Sequence, residues 1–134
     1  MVEVAAKVVL LVEDEPLIAM MLEDVLDAIG HSVCASCETV ASGLDAVARG
    51  GMDVAILDLN LRDGEQSIAI ADALAERGIP FLFATGGNGD EIPDRHRARP
   101  ALSKPFTIDA VEAALRKIVG TRPFQSMLDL GTGT

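Results

Sequence analysis

This chain lacks any apolar run as long as a membrane-spanning helix requires, which is about 18 residues. Its first residues, Met1 to Val4, also lack the basic region with which a secretory signal peptide begins. Both absences predict a cytoplasmic protein. Hydrophobic residues nevertheless make up 49% of the 134 residues, a share that excludes a disordered chain and predicts one folded domain.

Basic residues are scarce as well. Eleven lysines and arginines face 21 aspartates and glutamates, which gives a formal net charge of -10. Proteins that bind the phosphate backbone of nucleic acids need clustered Lys and Arg, so we expect no nucleic-acid partner and no membrane partner. An acidic surface suits a soluble protein that meets cations or basic proteins.

Only two cysteines occur, Cys34 and Cys37, and their spacing raises the question of a redox or zinc site. A redox pair normally sits at a helix N-terminus, whereas Cys34 falls inside a stretch typical of a strand. A structural zinc site needs four ligands, and His31 adds only one nearby. We interpret both cysteines as small hydrophobic residues.

Short apolar stretches between turn residues predict five strands, at 7–12, 32–36, 54–58, 81–84 and 101–103. Helical spacing of apolar residues predicts helices over 16–29, 39–49, 65–76 and 107–120, with one short or frayed helix within 88–100. Pro16, Thr39 and Thr107 stand where helices begin. Alternating strands and helices predict a doubly wound, five-stranded parallel sheet with helices on both faces.

Polar side chains end four of the five predicted strands: Glu13-Asp14, Asp58, Thr85 and Lys104. Because the carboxyl ends of parallel strands lie at one edge of a sheet, we expect these groups to converge. Three carboxylates repel one another unless a cation joins them, and oxygen ligands select a hard ion such as Mg²⁺. Lys104 and Thr85 offer a positive charge and a hydroxyl for phosphoryl oxygens. The set predicts phosphoryl transfer to a carboxylate nucleophile.

The motifs around these residues resemble those of the receiver domains of bacterial two-component response regulators. They are Val-Glu13-Asp14-Glu15-Pro, Leu-Asp58-Leu, Ala-Thr85-Gly86 and Lys104-Pro105-Phe106, and the resemblance covers about residues 8–119. It implies a flavodoxin-like (CheY-like), three-layer α/β/α fold with strand order 2-1-3-4-5. We therefore expect a receiver domain at 1–120, and a C-terminal tail at 121–134 with no output domain.

The resemblance also implies a role for each site residue. Asp58 would be the phosphoacceptor, and Mg²⁺ would be held by Asp14, Asp58 and the backbone carbonyl of Asn60, with Glu13 acting through a water. Thr85 and Lys104 would bind the phosphoryl group, and the Lys104–Pro105 bond would be cis. The implied partners are a histidine kinase or phosphotransfer protein and a downstream protein target, with the receiver a monomer or weak dimer.

One position departs from the family pattern. The family usually places an aromatic switch residue three positions before the lysine, and here that residue is Ala101. The stretch from Pro80 to Gly87, Pro-Phe-x-Phe-Ala-Thr-Gly-Gly, resembles stand-alone receivers that lack this aromatic and are known chiefly from bacterial stress signalling. We therefore expect activation to run through Thr85 and its loop without an aromatic rotamer change.

Two other functions would use part of the same residue set. A small Mg²⁺-dependent phosphatase would also use Asp58 as nucleophile, but such enzymes commonly supply an acid two residues later, where this chain has Asn60. A flavin binder would need a hydroxyl- and Gly-rich phosphate loop after the first strand, where Glu13 and Asp14 would repel phosphate. We therefore expect a signalling switch and no enzyme activity beyond slow autodephosphorylation.

The segment 88–100 gathers positive charge on this acidic chain, through Arg95, His96, Arg97 and Arg99. Charge runs are often only solvated loops. We hypothesise that the segment is mobile and contacts a partner.

Overall fold

The computed structural model describes residues 6–87 and 91–119. Five parallel strands form one sheet in the order β2-β1-β3-β4-β5, which confirms the predicted fold class. The strands are β1 (Val8–Val12), β2 (Ser32–Cys37), β3 (Val54–Asp58), β4 (Phe81–Thr85) and β5 (Ala101–Ser103). The α-helices are α1 (Pro16–Ala28), α2 (Val40–Arg49), α3 (Ile68–Glu76) and α4 (Ile108–Val119). Short 3-10 turns lie at Arg62–Gly64 and Asp94–His96.

Two hydrophobic cores cover the two faces of the sheet, because successive side chains of a strand point in opposite directions. Leu57 and Phe83 pack on one face with α2 and α3, while Ile56 and Leu82 pack on the other with α1 and α4. Every residue of β3 and β4 is buried. Asp58 is thus the one charged group in β3, at the carboxyl end of an otherwise apolar strand.

Helices α1, α2 and α4 begin where the sequence signals place them. Pro16 occupies the first turn of α1. At α2, Thr39 Oγ1 accepts a hydrogen bond from the backbone N–H of Ser42 at 3.1 Å, and at α4, Thr107 Oγ1 accepts one from the N–H of Ala110 at 3.0 Å. These caps satisfy N–H groups that have no acceptor within their own helix.

Helix α3 begins later than predicted, at Ile68 and not at residue 65. Asp63 and Gly64 have φ angles of 64° and 76°, which a right-handed helix cannot include. A backbone hydrogen bond from Leu61 N to Glu65 O at 2.8 Å and an isolated bridge between residues 60 and 66 close this turn. The result is a compact turn between β3 and α3 beside the carboxyl edge of the sheet.

The connection between β4 and β5 contains no α-helix in its described part, residues 91–100, and the short helix expected there is the 3-10 turn Asp94–His96. The His96 ring is buried and packs edge-to-face on Phe81, with centroids 5.3 Å apart. Pro93 and Pro100 interrupt helical hydrogen bonding on both sides of the turn.

The basic residues of this connection are engaged within the fold. Asp72 of α3 accepts two hydrogen bonds from Arg95, both at 2.9 Å, and lies 2.7 Å from His96 Nε2. The Arg99 guanidinium stacks over the Phe81 ring at 3.9 Å. These contacts join residues 95–99 to α3 and β4, while the mobility of the segment stays a prediction and residues 88–90 lie outside the described residues.

The expectations for the cysteines, the Lys104–Pro105 bond and the C-terminal tail have different outcomes. Cys37 is buried as expected, but Cys34 is exposed, because β2 is an edge strand and its alternate positions face solvent. The cis Lys104–Pro105 bond is confirmed. The expected tail at 121–134 lies outside the described residues. Within the described ranges, no helix has the length and apolar character needed to cross a membrane.

Candidate functional site

Three carboxylates meet at the carboxyl edge of the sheet. Glu13 and Asp14 follow β1, and Asp58 ends β3, which pairs directly with β1. One oxygen of each carboxylate lies within 4.8 Å of the other two. The central strands therefore bring together the acids that the sequence pattern singles out.

Lys104, which follows β5, approaches the same acids. Its Nζ lies 3.0 Å from Asp58 Oδ2 and 3.4 Å from Glu13 Oε1. Burial alone would lower the pKa of Lys104, but the Asp58 and Glu13 carboxylates outweigh burial and hold that pKa above its usual value. The ammonium is therefore a permanent positive charge at neutral pH.

Glu13 is the most unusual of the three acids, since only 1% of its surface is exposed. Burial raises its pKa to about 7, the backbone N–H of Glu15 opposes that rise, and the Asp58 charge adds to it. Its Oε2 accepts the Glu15 hydrogen bond at 3.1 Å, whereas its buried Oε1 accepts no hydrogen bond and has the Lys104 ammonium at 3.4 Å. A buried carboxylate oxygen without a hydrogen bond is rare, so this oxygen has room for a further water or cation as a partner.

These observations fit a hard divalent cation. The donor set is oxygen only, the three carboxylates are close enough to share one ion, and Glu13 Oε1 accepts no hydrogen bond. Mg²⁺ prefers such oxygen ligands and keeps several waters. Lys104 reduces the repulsion among the acids but contacts only two of them.

Thr85 ends β4 beside these groups and is buried. Its Oγ1 accepts a hydrogen bond from the Gly87 backbone N–H at 3.1 Å, which leaves the hydroxyl hydrogen available for another acceptor. Ala101, where the family usually has an aromatic, is exposed and pairs with Phe83 in the sheet register.

Asn60 lies on the turn after β3 and is exposed. Its side-chain Oδ1 accepts a hydrogen bond from Gln66 Nε2 at 3.1 Å, and the same amide nitrogen lies 2.7 Å from Glu91 Oε1. Gln66 thus joins the turn after β3 to the connection after β4. Sequence reasoning missed this residue, because its position in a closed turn is not encoded in a local motif.

Arg62 is the second residue that the sequence pattern missed. Its Nε lies 3.5 Å from Asp14 Oδ2, and its guanidinium also donates to the backbone carbonyl of Asp14. A basic residue four positions after Asp58 was visible in the sequence, but the contact depends on the shape of the 3-10 turn.

The model of the family described as response regulator receiver domain matches residues 9–116. The chain belongs to this family. Receivers of this kind are components of two-component signalling and act as switches through protein–protein contacts. Nothing in the comparisons supports the phosphatase alternative.

The receiver is similar to SdrG from Sphingomonas melonis Fr1, with 55% identity, a TM-score of 0.75 and coverage of 82% of this chain and 93% of that one. For the BeF3-activated conformation of SdrG, attributed to Pseudomonas melonis Fr1, the identity is 56%, the TM-score 0.70 and the coverage 81% and 92%. The Phyllosphere-induced regulator PhyR of Methylorubrum extorquens is 32% identical over 115 residues, which are 80% of this chain.

The anti-anti-sigma factor PhyR from Bartonella quintana is 27% identical, with a TM-score of 0.71 and coverage of 96% of this chain and 52% of that one. The chain spans less than half the length of the curated relatives, 41% in the case of the Methylorubrum protein. The similarity to those longer proteins therefore concerns their receiver portions.

Proposed function

We propose that this receiver accepts a phosphoryl group on Asp58 from a histidine kinase or phosphotransfer protein and relays the signal to a protein target. One observation carries the proposal: Lys104 Nζ lies 3.0 Å from Asp58 Oδ2, at the end of a buried strand and beside two further carboxylates. A cation aimed at one carboxylate among three is suited to a group that arrives with negative charge.

In this reaction the protein contributes only one covalent step, the attack of the Asp58 carboxylate. A carboxylate oxygen of Asp58 would attack phosphorus, a P–O bond would form, and the P–N bond to the donor histidine would break. The imidazole nitrogen keeps the electron pair of that bond and takes a proton. Positioning and charge stabilisation supply most of the catalysis in such transfers.

The metal-binding role would fall to Asp14 and Asp58, to the backbone carbonyl of Asn60, and to Glu13 through a water. Bound Mg²⁺ neutralises charge on the phosphoryl oxygens. The buried Glu13 Oε1, which accepts no hydrogen bond, supports an indirect role of this kind. Because burial penalises the charged form of the Glu13 carboxylate, a nearby cation would stabilise that charged form strongly.

Lys104 and Thr85 would hold the transferred group. A phosphoryl group adds about -1.5 to -2 charges and strong acceptor oxygens. The Lys104 ammonium, now paired with the Asp58 carboxylate, would pair with one phosphoryl oxygen. The Thr85 hydroxyl, whose hydrogen is not used by the Gly87 contact, would donate to another.

The relatives support a place in bacterial stress signalling, since one PhyR structure that is 32% identical to this chain is described as a stress response regulator. SdrG has a conformation described as BeF3-activated. PhyR of Bartonella quintana is described as an anti-anti-sigma factor, a protein that acts by binding another protein. We infer an output of the same kind, through protein contact, for this receiver.

The test compares Asp58→Asn with the wild type. Asn keeps the shape of the side chain and removes the nucleophile, so acid-labile phosphate from a small phosphodonor with Mg²⁺ should disappear. Asp45→Asn, at an exposed carboxylate paired with Arg49, is the matched control and should label like the wild type. If the Asp58→Asn protein labels at the wild-type rate, the phosphoacceptor is elsewhere.

A further inference from the structure

Arg62 reaches across the mouth of the site to a carboxylate 48 residues away in sequence. Its Nε lies 3.5 Å from Asp14 Oδ2, and its terminal nitrogen donates to the Asp14 backbone carbonyl. The Asp14 side chain is 13% exposed and that of Arg62 is 54% exposed. The contact therefore joins a partly buried acid to a cation that solvent can reach.

The backbone that carries Arg62 belongs to a hydrogen-bonded turn. The turn is closed by the hydrogen bond from Leu61 N to Glu65 O, and Asp63 holds a left-handed conformation within it. The guanidinium is carried on a long side chain, more than half of which is exposed. The side chain can leave Asp14 for solvent while the turn stays in place.

The same carboxylate is a ligand in the metal site proposed above. Two cations cannot approach one carboxylate closely without mutual repulsion. We propose that Arg62 is a resident cation that competes with Mg²⁺ for Asp14, so that it sets the Mg²⁺ affinity of the receiver and moves towards solvent when the metal binds. This inference rests on the proposed function, because it requires that the carboxylate cluster bind Mg²⁺.

The two cations of the site differ in a way that supports this assignment. Lys104 is 24% exposed and contacts Asp58 and Glu13, the two most buried acids. Arg62 contacts only Asp14, the least buried of the three, and from the solvent side. Arg62 is therefore the cation that an incoming ion meets first and displaces most easily.

The experiment measures the Mg²⁺ dissociation constant of the whole chain by NMR titration of backbone amides, without any phosphodonor. Arg62→Gln should bind Mg²⁺ about two- to fivefold more tightly than the wild type, because one competing positive charge is gone. Arg62→Lys keeps the charge but cannot hold the carboxylate and the carbonyl together, so it should show a smaller gain.

Arg49→Gln is the matched control. Arg49 forms an exposed pair with Asp45 in the last turn of α2, which lies at the opposite edge of the sheet because crossover helices run antiparallel to the strands. Its removal should leave the Mg²⁺ affinity unchanged. Far-UV circular dichroism should show that all variants keep the wild-type helix content.

A second readout reports on the contact itself. In the wild type, the side-chain Nε–H resonance of Arg62 should shift over the same Mg²⁺ concentrations as the amides of residues 13–15. Unchanged affinity in Arg62→Gln, or a resonance that does not move, would overturn the inference and leave the metal site intact. If the wild type itself binds no Mg²⁺, or if Asp14→Asn binds it equally well, the proposed metal site fails and this inference fails with it.

Discussion

The metal-free receiver should lose stability as the pH rises from about 5 to 8, because Glu13 then becomes charged inside the fold. In the unfolded chain this carboxyl loses its proton near pH 4.5, whereas in the folded protein its pKa is about 7. Between these values the folded state holds a proton that the unfolded state has released, so each rise in pH favours unfolding. At about 1.4 kcal/mol per pKa unit, the full difference corresponds to about 3.5 kcal/mol, of which about 2.5 kcal/mol is lost between pH 5 and pH 8.

Glu13→Gln isolates this effect, since Gln keeps the shape of the side chain and does not titrate. The free energy of unfolding of Glu13→Gln, relative to the wild type, should rise by about 1–3 kcal/mol between pH 5 and pH 8. Urea unfolding in EDTA, followed by far-UV circular dichroism, suits a chain that has no Trp and no Tyr. Glu23→Gln, on the exposed surface of α1, is the control and should show no such change.

Mg²⁺ binding provides a second test of the stability loss attributed to Glu13. A bound cation favours the charged carboxylates, so saturating Mg²⁺ should restore stability at pH 8, by about 2.7 kcal/mol at a hundredfold excess over the dissociation constant. The reasoning is refuted if the difference between the wild type and Glu13→Gln is the same at pH 5 and pH 8 in EDTA. A wild type that gains stability over Glu13→Gln with rising pH would reverse the assigned sign.

Three further predictions concern packing, the β4–β5 connection and the response. A Cβ on Gly43 would lie 2.4 Å from Ile70 Cδ1, so Gly43→Ala should lower the free energy of unfolding in urea by about 1–3 kcal/mol. Adding Ile70→Val, which removes that carbon, should recover much of this stability, and strictly additive effects of the two substitutions would contradict the clash. Asp72→Asn should speed hydrogen exchange of amides 94–99, because an Asn side chain cannot accept both hydrogen bonds from Arg95 and also pair with His96. Unchanged exchange would show that these contacts do not stabilise the segment. Thr85→Ala should still take up phosphate but show a weakened NMR response to BeF3 in residues 86–100, and a full wild-type response would rule out the hydroxyl as the sensor.

The features that a local pattern encodes could be predicted from the sequence. The apolar runs of β3 and β4 require burial on both faces, and a carboxylate or hydroxyl at the end of each then falls at a shared edge. Caps such as Thr39 act within four residues, so their spacing alone specifies them. The parallel five-stranded sheet and the convergence of the acids at one edge follow from such signals taken together, whereas the strand order is implied only by the family resemblance.

The features that depend on distant contacts or unusual backbone geometry could not be predicted from the sequence. The late start of α3 follows from a left-handed Asp63, a conformation that a non-glycine residue rarely adopts and that no neighbour in sequence requires. The exposure of Cys34 follows from the position of β2 at the sheet edge, which is a property of the whole sheet. The contact of Arg62 with Asp14 joins two loops and depends on the path of a flexible side chain.

An aromatic contact lies close to position 101, on the strand that pairs with it. Two residues before Thr85 in β4, the Phe83 ring lies 6.1 Å from the His96 ring, and His96 lies 2.7 Å from Asp72 of α3. A close-packed core transmits small displacements, because its side chains have no space to absorb them. If phosphorylation moves Thr85, we expect the Phe83–His96 contact to pass part of that displacement to the connection before β5. The response predicted for this receiver thus begins at Thr85 and its loop, with the Phe83–His96 contact as a neighbour that can report it, and it does not need a ring on β5.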